Sequence, residues 1–86
     1  MKRKHGYSPK GDVVYIKLKD SKSKYGDMID DNIILFFDDD TDEIVGIEIL
    51  SFKKTLEKGI LEKKLKNYNL NIFDDLKKIY YEMNVN

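Results

Sequence analysis

The sequence predicts an α+β fold: an antiparallel β-meander of four or five strands with one or two C-terminal helices packed on the sheet. Three observations carry that expectation. Residues 12–19, DVVYIKLK, alternate Val14, Ile16 and Leu18 with Val13, Tyr15, Lys17 and Lys19, the period of two that marks a half-buried strand. Two strongly apolar runs, NIILFF and IVGIEIL, flank the acidic stretch DDDTDE, whose Asp residues favour a turn. Finally, Ile72, Phe73, Leu76, Ile79, Tyr80 and Met83 recur at helical spacing.

The elements follow in order. His5 to Tyr7 form a short first strand, because Ser8-Pro9-Lys10-Gly11 is turn chemistry in which Pro presets φ and Gly supplies the left-handed option. Asp12 to Lys19 is the second strand. Residues 20–26, DSKSKYG, read as a polar loop, and a weak strand around Met28 and Ile29 precedes a strong one from Ile33 to Phe37. Glu43 to Leu50 closes the meander. Ser51 is a candidate N-cap for a helix carrying Phe52, Leu56 and Ile60, interrupted or ended near Gly59, with Leu61 and Leu65 continuing less regularly. After KNYNLN, Asn71 caps a second helix, with Asp74 and Asp75 in its first turn to suit the dipole. The 86 residues imply one domain, residues 1–86, with a meander core over 5–50 and a helical segment over 51–86.

Both faces of the last two strands are apolar. Val45, Ile47 and Ile49 alternate with Ile44, Gly46, Glu48 and Leu50, and Ile33, Leu35 and Phe37 alternate with Ile34 and Phe36. An antiparallel sheet normally keeps one face wet and polar, so the second face calls for a cover: the chain's own helices or another protein surface. The stripe Ile72, Phe73, Leu76, Ile79, Tyr80 and Met83 is the candidate partner interface, weighed against ordinary packing inside the chain.

Composition excludes whole classes of chemistry. There is no cysteine, which removes disulfides, thiolate metal sites and cysteine nucleophiles. The one histidine, His5, stands beside the basic terminus, so neither a histidine metal site nor a Ser-His-acid arrangement assembles within one chain. The glycines form no phosphate-cradling spacing. Without an apolar run long enough to span a bilayer or a hydrophobic leader, the expectation is a soluble, cytoplasmic, non-enzymatic protein with no cofactor.

Net charge is zero but unevenly spread, at +4 over residues 1–30, −7 over 31–50 and +3 over 51–86. The acid belongs to one hairpin. Against a calcium loop beginning at Asp38, Asp40 and Asp42 match, but Glu43 stands in the place of the turn glycine and Ile49 in that of the final Glu. A hairpin in which Asp42 accepts positive φ is the simpler reading. The basic start MKRKHG, with Lys53, Lys54, Lys58, Lys63, Lys64 and Lys66, could line phosphates, yet lysines read bases poorly beside bidentate arginine, and a solvated helix surface explains the helical ones. Glu48 with Asp12 is conceivable as an acid-base pair, but a cross-sheet partner such as Lys17 accounts for Glu48 more simply.

Tyr7-Ser8-Pro9-Lys10-Gly11-Asp12-Val13-Val14-Tyr15-Ile16, followed by a strand, an acidic turn and Glu43-Ile44-Val45-Gly46-Ile47-Glu48-Ile49-Leu50, resembles a small prokaryotic family catalogued as domain of unknown function 2283. The likeness spans about residues 5–56, with Tyr7, Pro9, Asp12, Tyr15, Gly46 and Glu48 at its motif positions. Ser8, Val14 and Asp42 depart from the family pattern. The resemblance implies a small sheet-based α+β domain with no established activity, some of whose members look like the antitoxin half of a pair with a small toxin. The expected partners are therefore another protein or a second copy, a dimer being favoured. Gly46 has a physical reason to be there: without a side chain in mid-strand, it admits an aromatic ring such as Tyr15, or a packed helix.

Overall fold

Eight elements run in chain order: β1 (Lys4–Ser8), β2 (Val13–Lys17), β3 (Lys24–Asp30), β4 (Ile33–Asp38), β5 (Ile44–Ile49), α1 (Phe52–Glu57), α2 (Leu61–Asn67) and α3 (Phe73–Met83). The computed structural model describes residues 4–83, and of Lys4, His5 and Met83 the backbone only. The basic residues Lys2 and Arg3 lie outside the described residues. The chain divides into a sheet unit ending at Phe52 and a helical unit beginning at Lys53.

In the sheet unit the five strands lie in the order β1-β2-β5-β4-β3, every neighbouring pair antiparallel. The fold is α+β, as the alternating pattern predicts. Residues directly opposite one another share a face, so the register sorts the side chains. Val14 pairs with Ile49, Ile16 with Ile47, Ile33 with Ile49 and Leu35 with Ile47. These six, with Val45, are at most 2% exposed and form the core on the first face.

Four details depart from the sequence reading. The stretch 20–26 is not all loop, because Lys24, Tyr25 and Gly26 belong to β3, which runs seven residues. As an edge strand exposed along most of its length, β3 has no buried face to impose alternation on its sequence. The strand containing Val14 ends at Lys17, where Leu18 and Lys19 both donate their N–H groups to the carbonyl of Val45. There the β4–β5 register shifts, so that Phe36 pairs with Gly46 but Phe37 with Ile44. That bulge moves Ile44 off the face of Gly46 and Glu48 onto the face of Phe37 and Ile47. At the β1–β2 turn the left-handed residue is Asp12, φ 53°, and not Gly11.

The helical unit has three helices because the predicted first one breaks at Gly59, φ +78°. Ser51 stands just before Phe52, but at φ 46° instead of the extended backbone of an ordinary N-cap. Helix α2 ends in a Schellman arrangement: Leu70 N–H donates to Leu65 C=O at 3.0 Å and Asn69 N–H to Lys66 C=O at 3.1 Å, with Asn69 left-handed at φ 57°. The first intrahelical bond of α3 runs from Leu76 N–H to Ile72 C=O, so Asn71 lies one residue further out than a cap would. Helices α2 and α3 touch, and Thr55, Leu61, Leu65, Ile72, Leu76 and Ile79 are buried. Tyr80 Oη donates to Glu57 Oε2 at 2.6 Å, joining α3 to α1.

Candidate interaction face

The second face of the sheet is built from two cross-strand rows. One reads Gly6, Tyr15, Glu48, Ile34, Met28, and the next reads Lys4, Lys17, Gly46, Phe36, Gly26. Its interior is apolar but not sealed: Tyr15, Ile34 and Phe36 are half-buried, and Met28 is 59% exposed. The first face, by contrast, is closed.

Two glycines shape this surface. A β-carbon on Gly46 would come within 2.7 Å of Tyr15 Oη and 3.2 Å of Tyr15 Cζ, so the phenol ring lies down over Gly46. On Gly26 a β-carbon would meet Phe36 Cε1 at 3.1 Å and Ile34 Cγ2 at 3.2 Å. Aromatic rings laid over glycines recover the packing that a missing side chain forfeits. The Tyr15 and Phe36 rings meet edge to face at 5.9 Å, and Lys24 crosses both: its ammonium is 5.1 Å from each ring centroid and donates to Tyr15 Oη at 2.9 Å. Lys24 and Gly26 were invisible as members of this cluster because β3 reads as polar loop. A partner strand of matching length for β4 is the signal that points to them.

The motif residues at the β1–β2 end serve structure. Tyr7 Oη donates to Asp12 Oδ1 at 2.9 Å, and the Tyr7 ring stands 6.4 Å from that of Phe52. The Asp12 carbonyl accepts Phe52 N–H at 2.8 Å, satisfying one of the donors that a helix start leaves over. Burial, with the Asp12 hydrogen bond next, raises the Tyr7 phenol above its ordinary value. Asp12 and Glu48 are not brought together: Asp12 turns to Tyr7, while Glu48 lies half-buried opposite Tyr15 and Ile34. Nor does Lys17 pair with Glu48. It forms an ion pair with Asp20 three residues on, whose carboxylate raises the Lys17 ammonium. Pro9 is exposed in the turn.

DDDTDE is a turn in which Asp38, Asp39, Asp42 and Glu43 each have a side-chain partner. Asp38 Oδ1 accepts the N–H groups of Asp40 and Thr41 at 2.8 and 3.0 Å, Asp38 Oδ2 accepts Ser21 Oγ at 2.7 Å, and Asp42 takes positive φ, 60°. The Ser21 hydroxyl, then these backbone donors, hold the Asp38 carboxyl below its ordinary range. Lys19 Nζ reaches Glu43 Oε2 at 2.7 Å and lowers that carboxyl likewise. Asp42 Oδ1 accepts Tyr25 Oη at 2.9 Å, and Tyr25 stacks on Phe37 at 5.4 Å. Among the described residues no group of three or more His, Asp or Glu is arranged to hold a metal ion.

Of the predicted interface stripe, Ile72, Leu76 and Ile79 are buried within the chain, Phe73 and Tyr80 are half-buried, and the Met83 side chain is outside the described residues. Neighbouring Tyr81 is the exposed residue there, at 61%. Among the described residues no helix is long and apolar enough to cross a membrane.

The ring of Tyr15 over Gly46 and the Tyr7–Asp12 bond place the quoted motif residues in one sheet. A family model described as "Protein of unknown function (DUF2283)" matches residues 4–53. The chain belongs to this family. The match takes in all five strands of the sheet and ends just inside α1, so the family's common part is the sheet unit. No curated protein and no solved structure matches the chain.

Proposed function

We propose that this family member is a protein-binding module without chemistry of its own, and that the second face of its sheet is the contact surface. One observation carries the reading: Tyr15, Ile34, Phe36 and Met28 stay half-buried or exposed on one side of a sheet whose other side is closed. Covering such side chains is favourable by roughly 25 cal/mol per Å² of apolar surface removed from water. The hydrogen bonds of Asp12, Asp38, Asp42 and Glu43 support binding over a carboxylate-based hydrolase, since each of these acids has a structural partner.

An antitoxin-like or accessory role in the cytoplasm, beside a small toxin, is the setting in which such a module fits. A purely structural homo-oligomer is the second reading, favoured by the presence of both charge signs on the face, Lys17 and Glu48. The test is co-purification of the tagged chain from its own host, in parallel with Ile34→Lys. A stoichiometric protein, its own copy included, recovered with the wild type and lost with the variant, is expected. Recovery indifferent to Ile34→Lys would count against this face.

A further inference from the structure

Building on that reading of the face, we infer that its occupant is a second copy of this chain, docked sheet to sheet about a two-fold axis lying between the two faces. The relief of the surface is the first argument. With Tyr15 lying over Gly46 and Phe36 leaning over Gly26, the large rings run along the sheet instead of standing up from it. Two such low surfaces can approach to the ~10 Å separation at which sheets pack.

Charge is the second argument. Lys17 is directly opposite Gly46, and Glu48 lies two residues further along β5, which makes Lys17 and Glu48 diagonal neighbours about 7–8 Å apart. A two-fold axis in the interface plane, perpendicular to the line joining them, exchanges their positions. Each Lys17 then faces Glu48 of the other copy, and both pairs form at once, as a self-complementary interface requires. A face of one sign would repel its own copy; here the Lys24 ammonium also lies over the Tyr15 and Phe36 rings, a like charge that the two copies must keep apart. The present partner of Lys17 is Asp20, whose side chain is 93% exposed, and an ion pair that open to water holds Lys17 only weakly.

Size is the third argument. Five strands about 4.8 Å apart and roughly six residues long at about 3.4 Å per residue give a footprint of ~480 Å² per copy, or ~1,000 Å² for two. That sits at the lower bound for a specific interface, which suits reversible association in the micromolar range and not a permanent dimer.

Sedimentation velocity on the full chain from about 1 to 300 μM reads this directly. The expected result is a monomer passing to a dimer across that range. Glu48→Lys and Met28→Lys should each weaken the dimer about tenfold or more, and Lys17→Glu combined with Glu48→Lys should restore it. Met28 is exposed, so Met28→Lys keeps the folded monomer, which its far-UV circular dichroism will verify. A wild type that stays monomeric throughout, or a dimer untouched by both single variants, overturns the inference. If the wild type is monomeric while Ile34→Lys still releases a different bound protein, self-docking alone falls. If Ile34→Lys releases nothing and the dimer ignores Met28→Lys, the binding reading of this face falls with it.

Discussion

The hydroxyl of Tyr15 lies 2.7 Å from the point where a β-carbon on Gly46 would stand, so one strand's glycine is the seat of its neighbour's ring. The ring is held from three sides, by Gly46 beneath, Phe36 at its edge and Lys24 at its hydroxyl. Gly46→Ala must therefore displace a ring with little room to move. Overpacking of this kind costs typically 1–3 kcal/mol, against which the better strand propensity of Ala returns under 1 kcal/mol. Urea unfolding should show Gly46→Ala destabilised by about 1–2 kcal/mol. Tyr15→Phe removes the closest atom, so the loss caused by Gly46→Ala should be smaller in the Tyr15→Phe background. Equal losses in both backgrounds would show that the contact does not matter.

Asp12 does three things at one position: it takes φ 53°, accepts Tyr7 Oη and offers its carbonyl to Phe52 N–H. Asn tolerates left-handed backbone and retains an acceptor, whereas Ala does neither well. Asp12→Asn should cost under about 1 kcal/mol and Asp12→Ala about 2 kcal/mol in the same urea assay. The ultraviolet titration of tyrosine adds a separate check. Asp12 is one of the causes that raise the Tyr7 phenol, so both variants should lower the pH at which that phenol ionises. An unchanged titration would mean that Asp12 does not raise the phenol.

The acidic hairpin makes stability depend on pH in a definite direction. Asp38 and Glu43 are held below their ordinary values of 3.8 and 4.5, so the folded state binds their protons less readily than the unfolded chain. Their contribution is complete above those ordinary values and is lost as the pH falls through the lowered ones. Melting temperature should therefore decline as the pH is taken below about 4.5. The Ser21 hydroxyl does most to hold Asp38 ionised, and Ser21→Ala should flatten that decline by lowering the melt at neutral pH more than at acid pH. A decline of the same size in Ser21→Ala would place the acid sensitivity elsewhere.

How much of this was readable beforehand depends on whether a residue's position is decided locally. Val14 and Ile16 are buried and alternate with the less buried Val13, Tyr15 and Lys17, so their strand and face were legible. Gly46 was legible too, since few things other than a close approach explain glycine in mid-strand. β3 was not, because at an exposed edge neither face constrains the sequence and Lys24-Tyr25-Gly26 reads as loop. The bulge at Val45 depends on Leu18 and Lys19, two strands' worth of chain away, and it alone decides which side Ile44 takes. Asp12 displaced Gly11 from the left-handed position in the same way, through Tyr7 and Phe52. In the helices the buried half of the α3 stripe could be recognised, but helical spacing does not say whether the burying surface comes from the same chain.

Helix termini offer a prediction that sheet packing does not touch. Gly59 adopts φ +78° after α1, and Asn69 adopts φ 57° after α2. A β-carbon at Gly59 meets nothing within 4 Å, so Gly59→Ala isolates backbone strain from crowding. Left-handed backbone costs an alanine on the order of 1–2 kcal/mol. Asn69→Gly should move the other way, gaining up to about 1 kcal/mol, because Gly is the preferred residue at the left-handed position of a Schellman end. Thermal melts of the two variants should bracket the wild type, and a stabilised Gly59→Ala would mean that α1 continues past residue 59 in solution.

The two faces of β4 should answer substitution unequally, although their sequences are equally apolar. Leu35 is fully buried on the first face, and Leu35→Ala should cost about 2–5 kcal/mol through lost transfer energy and the cavity left behind. Ile34, one residue away on the second face, is only half-buried. In the dilute monomer Ile34→Ala should cost about 1 kcal/mol, because water already reaches part of the side chain and collapses into the space. Measuring both at two protein concentrations separates packing from association: the Leu35→Ala loss should not depend on concentration, and the Ile34→Ala loss should grow as the chain is concentrated. If instead the Ile34→Ala loss matches that of Leu35→Ala in the dilute monomer, the second face is as closed as the first, and nothing is left for it to bind.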